Sequence, residues 1–190
     1  GLFSLKKEEK FGLIILSHVL EHIVDVKEAL ASVMDVLQDD GLLYVEVPDS
    51  SAYFENPVVP FYYFDTEHIN HFEPQSLINL GIKNGLRSER TGRRMIDVSA
   101  GTKYPAAYSM YRKQQDSRSV VKCNIDSIRK FIAGSVNRME GMNTLEETLR
   151  SGRDIYVWGA GNYTMRLLDS TPLGKFRVKA FIDKDPKKIG

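Results

Sequence analysis

The sequence predicts an α/β fold that contains part of a Rossmann-like sheet, a helical linker and the start of a second Rossmann-like βαβ unit. Two observations support this prediction. Residues 11–49 have the order strand, polar loop, helix, turn and strand, which is the crossover that two parallel strands require. Residues 151–183 repeat the order, with a glycine-containing turn before the helix, as in dinucleotide-binding units.

The first βαβ unit is indicated by its hydrophobic pattern. Phe11–Leu16 is a continuous apolar run, which is typical of a strand buried on both faces of a parallel sheet. Asp25 and Glu28 form a capping-box signature before a helix, and we expect Asp40-Gly41 to end it. Leu42–Val47 is the next predicted strand. The apolar stripe of the helix consists of Val26, Ala29, Leu30, Val33, Met34 and Leu37.

Polar side chains follow both strands of this unit. In open α/β sheets ligands bind outside the carboxyl ends of the strands, so we expect the functional site at this edge. The residues concerned are Ser17, His18, Glu21 and His22 after the first strand, and Glu46 and Asp49 at the second.

The middle of the chain is predicted to contain a loop, a helix and a hairpin. Ser50–Pro60 is a proline-containing loop followed by aromatic residues. A helix is expected from Pro74 to about Leu86, because proline is favoured in the first turn. Arg94–Val98 and Ala107–Arg112 are predicted to be two strands.

Residues 114–150 are predicted to form a linker and a long amphipathic helix. Apolar residues recur there at intervals of three to four, which indicates one long amphipathic helix or two consecutive ones. We expect this helix to pack within the chain, and a homodimer through residues 124–150 is the alternative. The expected domains are therefore 1–113, 114–150 and 151–190. The apolar positions are Ile125, Ile128, Ile132, Val136, Met139, Met142, Leu145 and Leu149.

The last segment has the order of a dinucleotide fingerprint. A strand at Ile155–Trp158 leads into a glycine turn, a helix at Asn162–Ser170 and a second strand at Val178–Ile182. Thr164 replaces the third glycine of the fingerprint. The nucleotide-binding candidates are Gly159, Gly161 and Asp183.

The composition excludes several classes of partner. Lys and Arg number 26 against 25 Asp and Glu, a net charge of +1, so nothing indicates binding to nucleic acid or to an anionic membrane. No apolar run approaches the roughly 18 residues of a membrane span. The single Cys123 excludes an intrachain disulfide and suits a reducing cytosol. We therefore expect a soluble cytoplasmic protein.

Three motifs together resemble an enzyme family. LSHVLEHIVD, DGLLYVEVPD and EHINHFEPQSL are similar to the second half of class I S-adenosylmethionine-dependent methyltransferases, especially the sugar C-methyltransferase branch with its appended Rossmann-like domain. The resemblance implies a sheet closed by an antiparallel hairpin, S-adenosylmethionine as cofactor and an acceptor such as a nucleotide-linked sugar. It also implies that the first strands and the glycine-rich cofactor loop lie upstream, so we expect this chain to be a fragment that is inactive alone.

The resemblance assigns roles to the residues after the first strand. Ser17 and His18 are expected beside the methionine and adenine of the cofactor. Glu21 and His22 are expected to stiffen the loop through hydrogen bonds. We expect this group to converge with residues 67–71 on one pocket at the rim of the sheet.

The EHINH motif supplies the candidate catalytic residues His68, Glu67 and His71. Sugar C-methyltransferases need a base that removes a carbon-bound proton, and histidine is suited to this near neutral pH. His68 is the expected base. In the family a tyrosine three residues earlier assists the base, whereas this chain has Asp65.

Other interpretations of these motifs remain open. His18, Glu21 and His22 form H-x-x-E-H, a zinc hydrolase signature. That signature requires His18 and His22 to lie one turn apart on a helix, whereas the preceding residues favour a strand, so we assign no metal ligands. A nucleotide-binding module without catalysis, centred on residues 159–183, is a further alternative. The polar residues after the first strand are also compatible with a loop that binds no ligand.

Overall fold

The computed structural model describes residues 9–57, 59–64, 66–99, 102–114, 117–148 and 154–188. The chain is divided into two compact units. The first unit comprises residues 1–57 and 63–131, and the second comprises residues 58–62 and 132–190. The predicted positions Asp65, Gly101 and Leu149 lie outside the described residues. No helix among the described residues is long and apolar enough to cross a membrane.

The first unit contains a four-stranded mixed sheet. Its strands are β1 (Phe11–Ser17), β2 (Leu37–Pro48), β3 (Leu86–Ser99) and β4 (Thr102–Lys113), in the order β1-β2-β4-β3. β1 and β2 are parallel, whereas β4 is antiparallel to both β2 and β3. The predicted α/β fold class is confirmed, and the β3–β4 hairpin closes one side of the sheet, as the resemblance implies.

Two helices accompany this sheet, α1 (Val26–Val36) and α2 (Pro74–Lys83). The Asp25 carboxylate caps α1 by accepting a hydrogen bond from the Glu28 amide at 2.8 Å, as predicted. The expected end of α1 at Asp40-Gly41 is wrong, since Leu37 is already extended and both residues lie in β2. Gly41 is favoured there by close packing, because an added Cβ would lie 2.9 Å from the backbone carbonyl oxygen of Gln38.

The core of the first unit lies where α1 and α2 pack on the sheet. Burial of each large aliphatic side chain contributes about 1.5–3 kcal/mol. The fully buried members include Leu20, Leu30, Val33, Leu37, Leu43, Val45, Val47, Leu77 and Leu86.

The predicted burial of β1 on both faces is wrong. Leu16 is buried, but Phe11, Leu13 and Ile15 are 37%, 53% and 58% exposed. Ile14 and Leu16 point toward the core, to which α1 also contributes. Because side chains alternate along a strand, Phe11, Leu13 and Ile15 point to the opposite face. Among the described residues, therefore, only one face of β1 is covered, and β1 is also the outermost strand in the observed order.

The long helix α3 spans Asp126–Thr148 and runs without interruption through Gly134 and Gly141. Its most buried described residues are Phe131 and Ser135, four positions apart. Ile132 and Val136 from the predicted apolar stripe are 40% and 39% exposed. The helix was therefore predicted correctly, whereas its buried face was not.

The second unit contains a two-stranded parallel sheet of β5 (Asp154–Trp158) and β6 (Arg177–Ile182), connected through α4 (Asn162–Ser170). Gly159 adopts a φ of +96° directly after β5, a conformation that favours glycine. The predicted strand, glycine turn, helix and strand are all observed.

Candidate functional site

The segment after β1 begins with an unusual backbone conformation. His18 has a φ of +53°, which is uncommon for a residue with a side chain, and its N–H donates to the Glu46 carbonyl at 2.8 Å. A single 3₁₀ turn, Leu20–His22, follows. The H-x-x-E-H helix is therefore absent from this segment, because β1 pairs with β2 until His18 and no α-helical turn joins His18 to His22.

Three buried carboxylates lie at this edge of the sheet. Glu21, Glu46 and Asp49 are 0%, 1% and 1% exposed. Arg94 donates to Glu46 at 2.8 Å, and Arg93 Nε lies 3.0 Å from Asp49. Two of the three buried charges are thus paired with arginines from β3, as buried carboxylates require.

Glu46 is also held by its own strand. The Tyr44 hydroxyl donates to Glu46 Oε2 at 2.7 Å. Burial disfavours the charged form of Glu46, but the hydrogen bonds from Arg94 and Tyr44 outweigh it and lower the pKa of the carboxyl. Burial and the bond to Glu46 raise the pKa of Tyr44 to about 12. Glu46 is therefore a fixed negative charge beside His18, whose Nε2 lies 3.8 Å away.

Glu21 has a different environment from the two arginine-paired carboxylates. His18 Nδ1 lies 3.1 Å from Glu21 Oε1, and His22 Nε2 lies 3.9 Å from the same oxygen. The other oxygen, Oε2, is buried and has no hydrogen-bond partner among the described residues. The basic side chains near Glu21 that the structure describes are thus imidazoles rather than guanidinium groups.

The segment 67–71 contacts the segment after β1. The Glu21 carbonyl accepts hydrogen bonds from the amides of Ile69 and Asn70 at 2.9 and 3.1 Å. The Asn70 side chain donates to the Ile23 carbonyl at 2.6 Å. These bonds hold together two segments that are almost 50 residues apart in sequence, so the two predicted groups are adjacent. Of the candidate residues, His22 and Glu67 line the cavity at this contact.

Two histidine rings meet at this contact. His22 Nδ1 lies 2.9 Å from the Glu67 carbonyl oxygen, and the ring centroids of His22 and His68 are 4.8 Å apart. An open cavity of about 450 Å³ adjoins them, lined by His22, Thr66, Glu67 and Ile69. Its lining includes imidazole, hydroxyl and carboxylate groups, which can position a polar small molecule.

His71 lies on the other side of this segment, against an aromatic cluster. Its Nδ1 is 3.3 Å from the Tyr53 hydroxyl, and Tyr53 stacks on Tyr63 with 4.0 Å between ring centroids. Burial, with a smaller effect of His68, lowers the pKa of His71. His71 is therefore neutral near pH 7.

The sequence analysis missed the two arginines of this site. Arg93 and Arg94 lie in a cluster of basic residues that carries no local signal of burial. Their pairing with Asp49 and Glu46 depends on the register of β4 between β2 and β3. Arg94 lies opposite Ala106, and Ala106 lies opposite Pro48, so Arg94 and Glu46, two residues before Pro48, lie on the same face of the sheet.

In the second unit the predicted acidic residue, Asp183, forms hydrogen bonds to the backbone beside the glycine turn. Asp183 accepts hydrogen bonds from the amides of Ala160 at 2.7 Å and Asp185 at 2.9 Å, and the Lys188 ammonium lies 3.2 Å away. The two amides and Lys188 lower the pKa of Asp183 to about 2. Gly159 and Gly161 form the turn itself, so Asp183 joins the ends of β5 and β6.

Comparison with known proteins identifies a methyltransferase pattern in part of the chain. Residues 3–91, slightly less than half of the sequence, match the family model described as a methyltransferase domain. This segment contains β1, α1, β2 and α2 together with every candidate residue from Ser17 to His71. No curated protein sequence matches the chain significantly.

Structural similarity to a solved protein is low. The crystal structure of M1.HpyAVI aligns over 95% of this chain and 84% of its own, with 9% sequence identity and a TM-score of 0.29. A similarity of this size supports no inference about fold or function.

Proposed function

We propose that this protein takes part in methyl transfer from S-adenosylmethionine to a small acceptor, with a nucleotide-linked sugar as the acceptor class. The observation that supports this proposal best is the contact between residues 18–22 and residues 67–71, at the carboxyl end of β1. Both segments lie within the part of the chain that matches a methyltransferase domain.

The residues after β1 fit the charge of the cofactor. S-adenosylmethionine carries a sulfonium and an ammonium group, and it supplies an electrophilic methyl carbon when bound. Glu21 and Glu46 place two buried carboxylates beside His18, and Oε2 of Glu21, which no described residue contacts through a hydrogen bond, provides an acceptor. Ser17 and His18 are the proposed contacts, and Glu21 and His22 position the loop.

His68 is the proposed base. It lies in the segment that borders the open cavity, next to the His22 ring, where it can accept the proton that an acceptor carbon or hydroxyl loses as it bonds to the methyl group. Glu67 and His71 flank it, and the lowered pKa of His71 avoids a second positive charge nearby. The negative charge left on the acceptor favours attack on the methyl carbon.

The proposal is tested with the full-length gene product and S-adenosylmethionine labelled in its methyl group. Transfer to nucleotide-linked sugars is measured for the wild type, His68→Gln and a control, Lys27→Gln, on the exposed face of α1. We expect His68→Gln to lower kcat about 10²–10⁴-fold, the usual contribution of a general base. An unchanged rate in His68→Gln would remove His68 from this role.

A further inference from the structure

We propose that Glu21, His22 and His68 form a binding site for a divalent transition-metal ion of the zinc class. One ligand atom from each of these residues lies within 4.8 Å of those of the other two. A carboxylate oxygen and two imidazole nitrogens are a common zinc ligand set. The site shares Glu21 and His68 with the proposed methyl transfer, so an ion bound there and proton transfer by His68 exclude each other.

The buried carboxylate of Glu21 is the first observation that points to a cation. At this edge of the sheet the other two buried carboxylates, Glu46 and Asp49, contact arginines. Glu21 is fully buried and its Oε1 lies 3.1 Å from His18 Nδ1, but its Oε2 has no hydrogen-bond partner among the described residues. An ionised carboxylate is costly to bury without compensation, and a bound cation would supply that compensation.

The tautomer of His22 is the second observation. A carbonyl oxygen only accepts hydrogen bonds, so His22 Nδ1 must donate its proton to the Glu67 carbonyl at 2.9 Å. In the neutral ring this leaves a lone pair on Nε2, the atom that lies 3.9 Å from Glu21 Oε1. Metal-binding histidines usually donate their other N–H to a carbonyl or carboxylate in this way.

Binding of an ion would draw the three ligand atoms closer together. Two ligands of a tetrahedral zinc ion at about 2.0–2.1 Å are roughly 3.4 Å apart, whereas His22 Nε2 lies 3.9 Å from Glu21 Oε1 and the three ligand atoms lie within 4.8 Å of one another. The cavity beside His22 is open and lined by Thr66, Glu67 and Ile69. It leaves room for water or another small ligand to complete the coordination.

The ligand set differs from the H-x-x-E-H signature in the sequence. His18 belongs to that signature, but its Nδ1 contacts Glu21 Oε1 at 3.1 Å and thereby orients the carboxylate. His68 takes the place of a second ligand through the contact between the two segments. An ion bound at His68 would withdraw that ring from proton transfer, so metal binding and methyl transfer are measured separately.

The first test is calorimetric titration of the tag-free, chelator-treated full chain with zinc sulfate. We expect the wild type to bind one ion per chain. The variants Glu21→Gln, His22→Gln and His68→Gln should each bind zinc at least about tenfold more weakly, because even residues that only hydrogen-bond to a metal ligand change the affinity by about this much. Glu28→Gln, at an exposed position of α1, is the matched control for Glu21→Gln and should retain the wild-type affinity. Absence of stoichiometric binding, or equal weakening in Glu28→Gln, would overturn the proposal.

A second test uses only the wild-type protein, in case a variant does not fold. Histidines are modified with diethylpyrocarbonate with and without zinc, and the modified positions are identified by mass spectrometry. Zinc should protect His22 and His68 and leave the reactivity of His71 unchanged. Equal reactivity of His22 with and without zinc would contradict the site even if methyl transfer is observed.

Discussion

His22 donates through Nδ1 to the backbone carbonyl of Glu67 at 2.9 Å, across 45 residues of sequence. This bond joins the 3₁₀ turn after β1 to the segment that contains His68. Because the acceptor is a backbone atom, the bond fixes the orientation of the His22 ring whatever side chain occupies position 67. The relative placement of the two groups of candidate residues therefore depends on backbone contacts as well as on side-chain chemistry.

Replacing Arg94 should destabilise the first unit. Arg94→Gln leaves the buried Glu46 without its guanidinium, and hydrogen bonds to charged groups contribute about 1.5–3 kcal/mol. Because the Arg94 side chain is 53% exposed, water replaces part of the contact, and we expect a loss of about 1–2 kcal/mol in urea denaturation. Arg90→Gln, at an exposed position of the same strand, is the control.

The double variant Arg94→Gln, Glu46→Gln tests the pairing directly. If the two side chains interact, its loss of stability should be less than the sum of the two single losses. Additive losses would show that the ion pair contributes nothing measurable.

The same ion pair predicts a pH dependence of stability. The pKa of Glu46 in the folded protein lies below its ordinary value of 4.5, so between these two values the unfolded chain binds more protons than the folded one. The stabilisation is therefore present above about pH 4.5 and is lost as the pH falls through the folded pKa. Urea denaturation from pH 7 to pH 3 should show a smaller decrease in Glu46→Gln than in the wild type. An equal decrease in the stability of the wild type and of Glu46→Gln over this pH range would contradict the lowered pKa of Glu46.

Substitutions of two leucines test which side chains of the first βαβ unit are buried and which are exposed. Leu30 on α1 is 1% exposed, whereas Leu13 on β1 is 53% exposed. Leu30→Ala should cost about 2–5 kcal/mol because it removes buried methyl groups and leaves a cavity. Leu13→Ala should cost less than about 1 kcal/mol, since a half-exposed side chain loses less on truncation. Equal losses in chemical denaturation would mean that β1 is covered on both faces.

Asp183→Ala distinguishes a structural from a ligand-binding role for the second unit. The variant loses the acceptor of the Ala160 and Asp185 amides, so its melting temperature should fall with or without a dinucleotide present. A dinucleotide that raises the melting temperature of the wild type but not that of the variant would instead assign Asp183 to a nucleotide site.

The sequence was sufficient to predict elements whose signals are local. The Asp25 cap, Pro74 at the start of α2 and the glycine turn at Gly159 each depend on a few neighbouring residues, and all three are observed. The end of α1 was wrong because Asp-Gly also occurs where a strand pairing shifts, and Gly41 lies at such a shift.

The candidate site was only partly predictable for a related reason. His18, Glu21, His22 and His68 were identified because strand ends and an EHxxH pattern can be recognised in the sequence. The roles of Arg93 and Arg94 depend on the register of three strands, which no short motif encodes. The burial of α3 was also mispredicted, because periodicity shows that an apolar stripe exists but not which neighbour covers it.

The left-handed backbone at His18 decides which substitutions at that position are informative. Asparagine and glycine adopt a positive φ readily, whereas β-branched residues do so rarely. A valine there would disturb the peptide that bonds to Glu46, and lost activity would then say nothing about the imidazole. Asparagine preserves the chain path while removing the ring, and it is therefore the replacement from which the chemistry of this position can be learned.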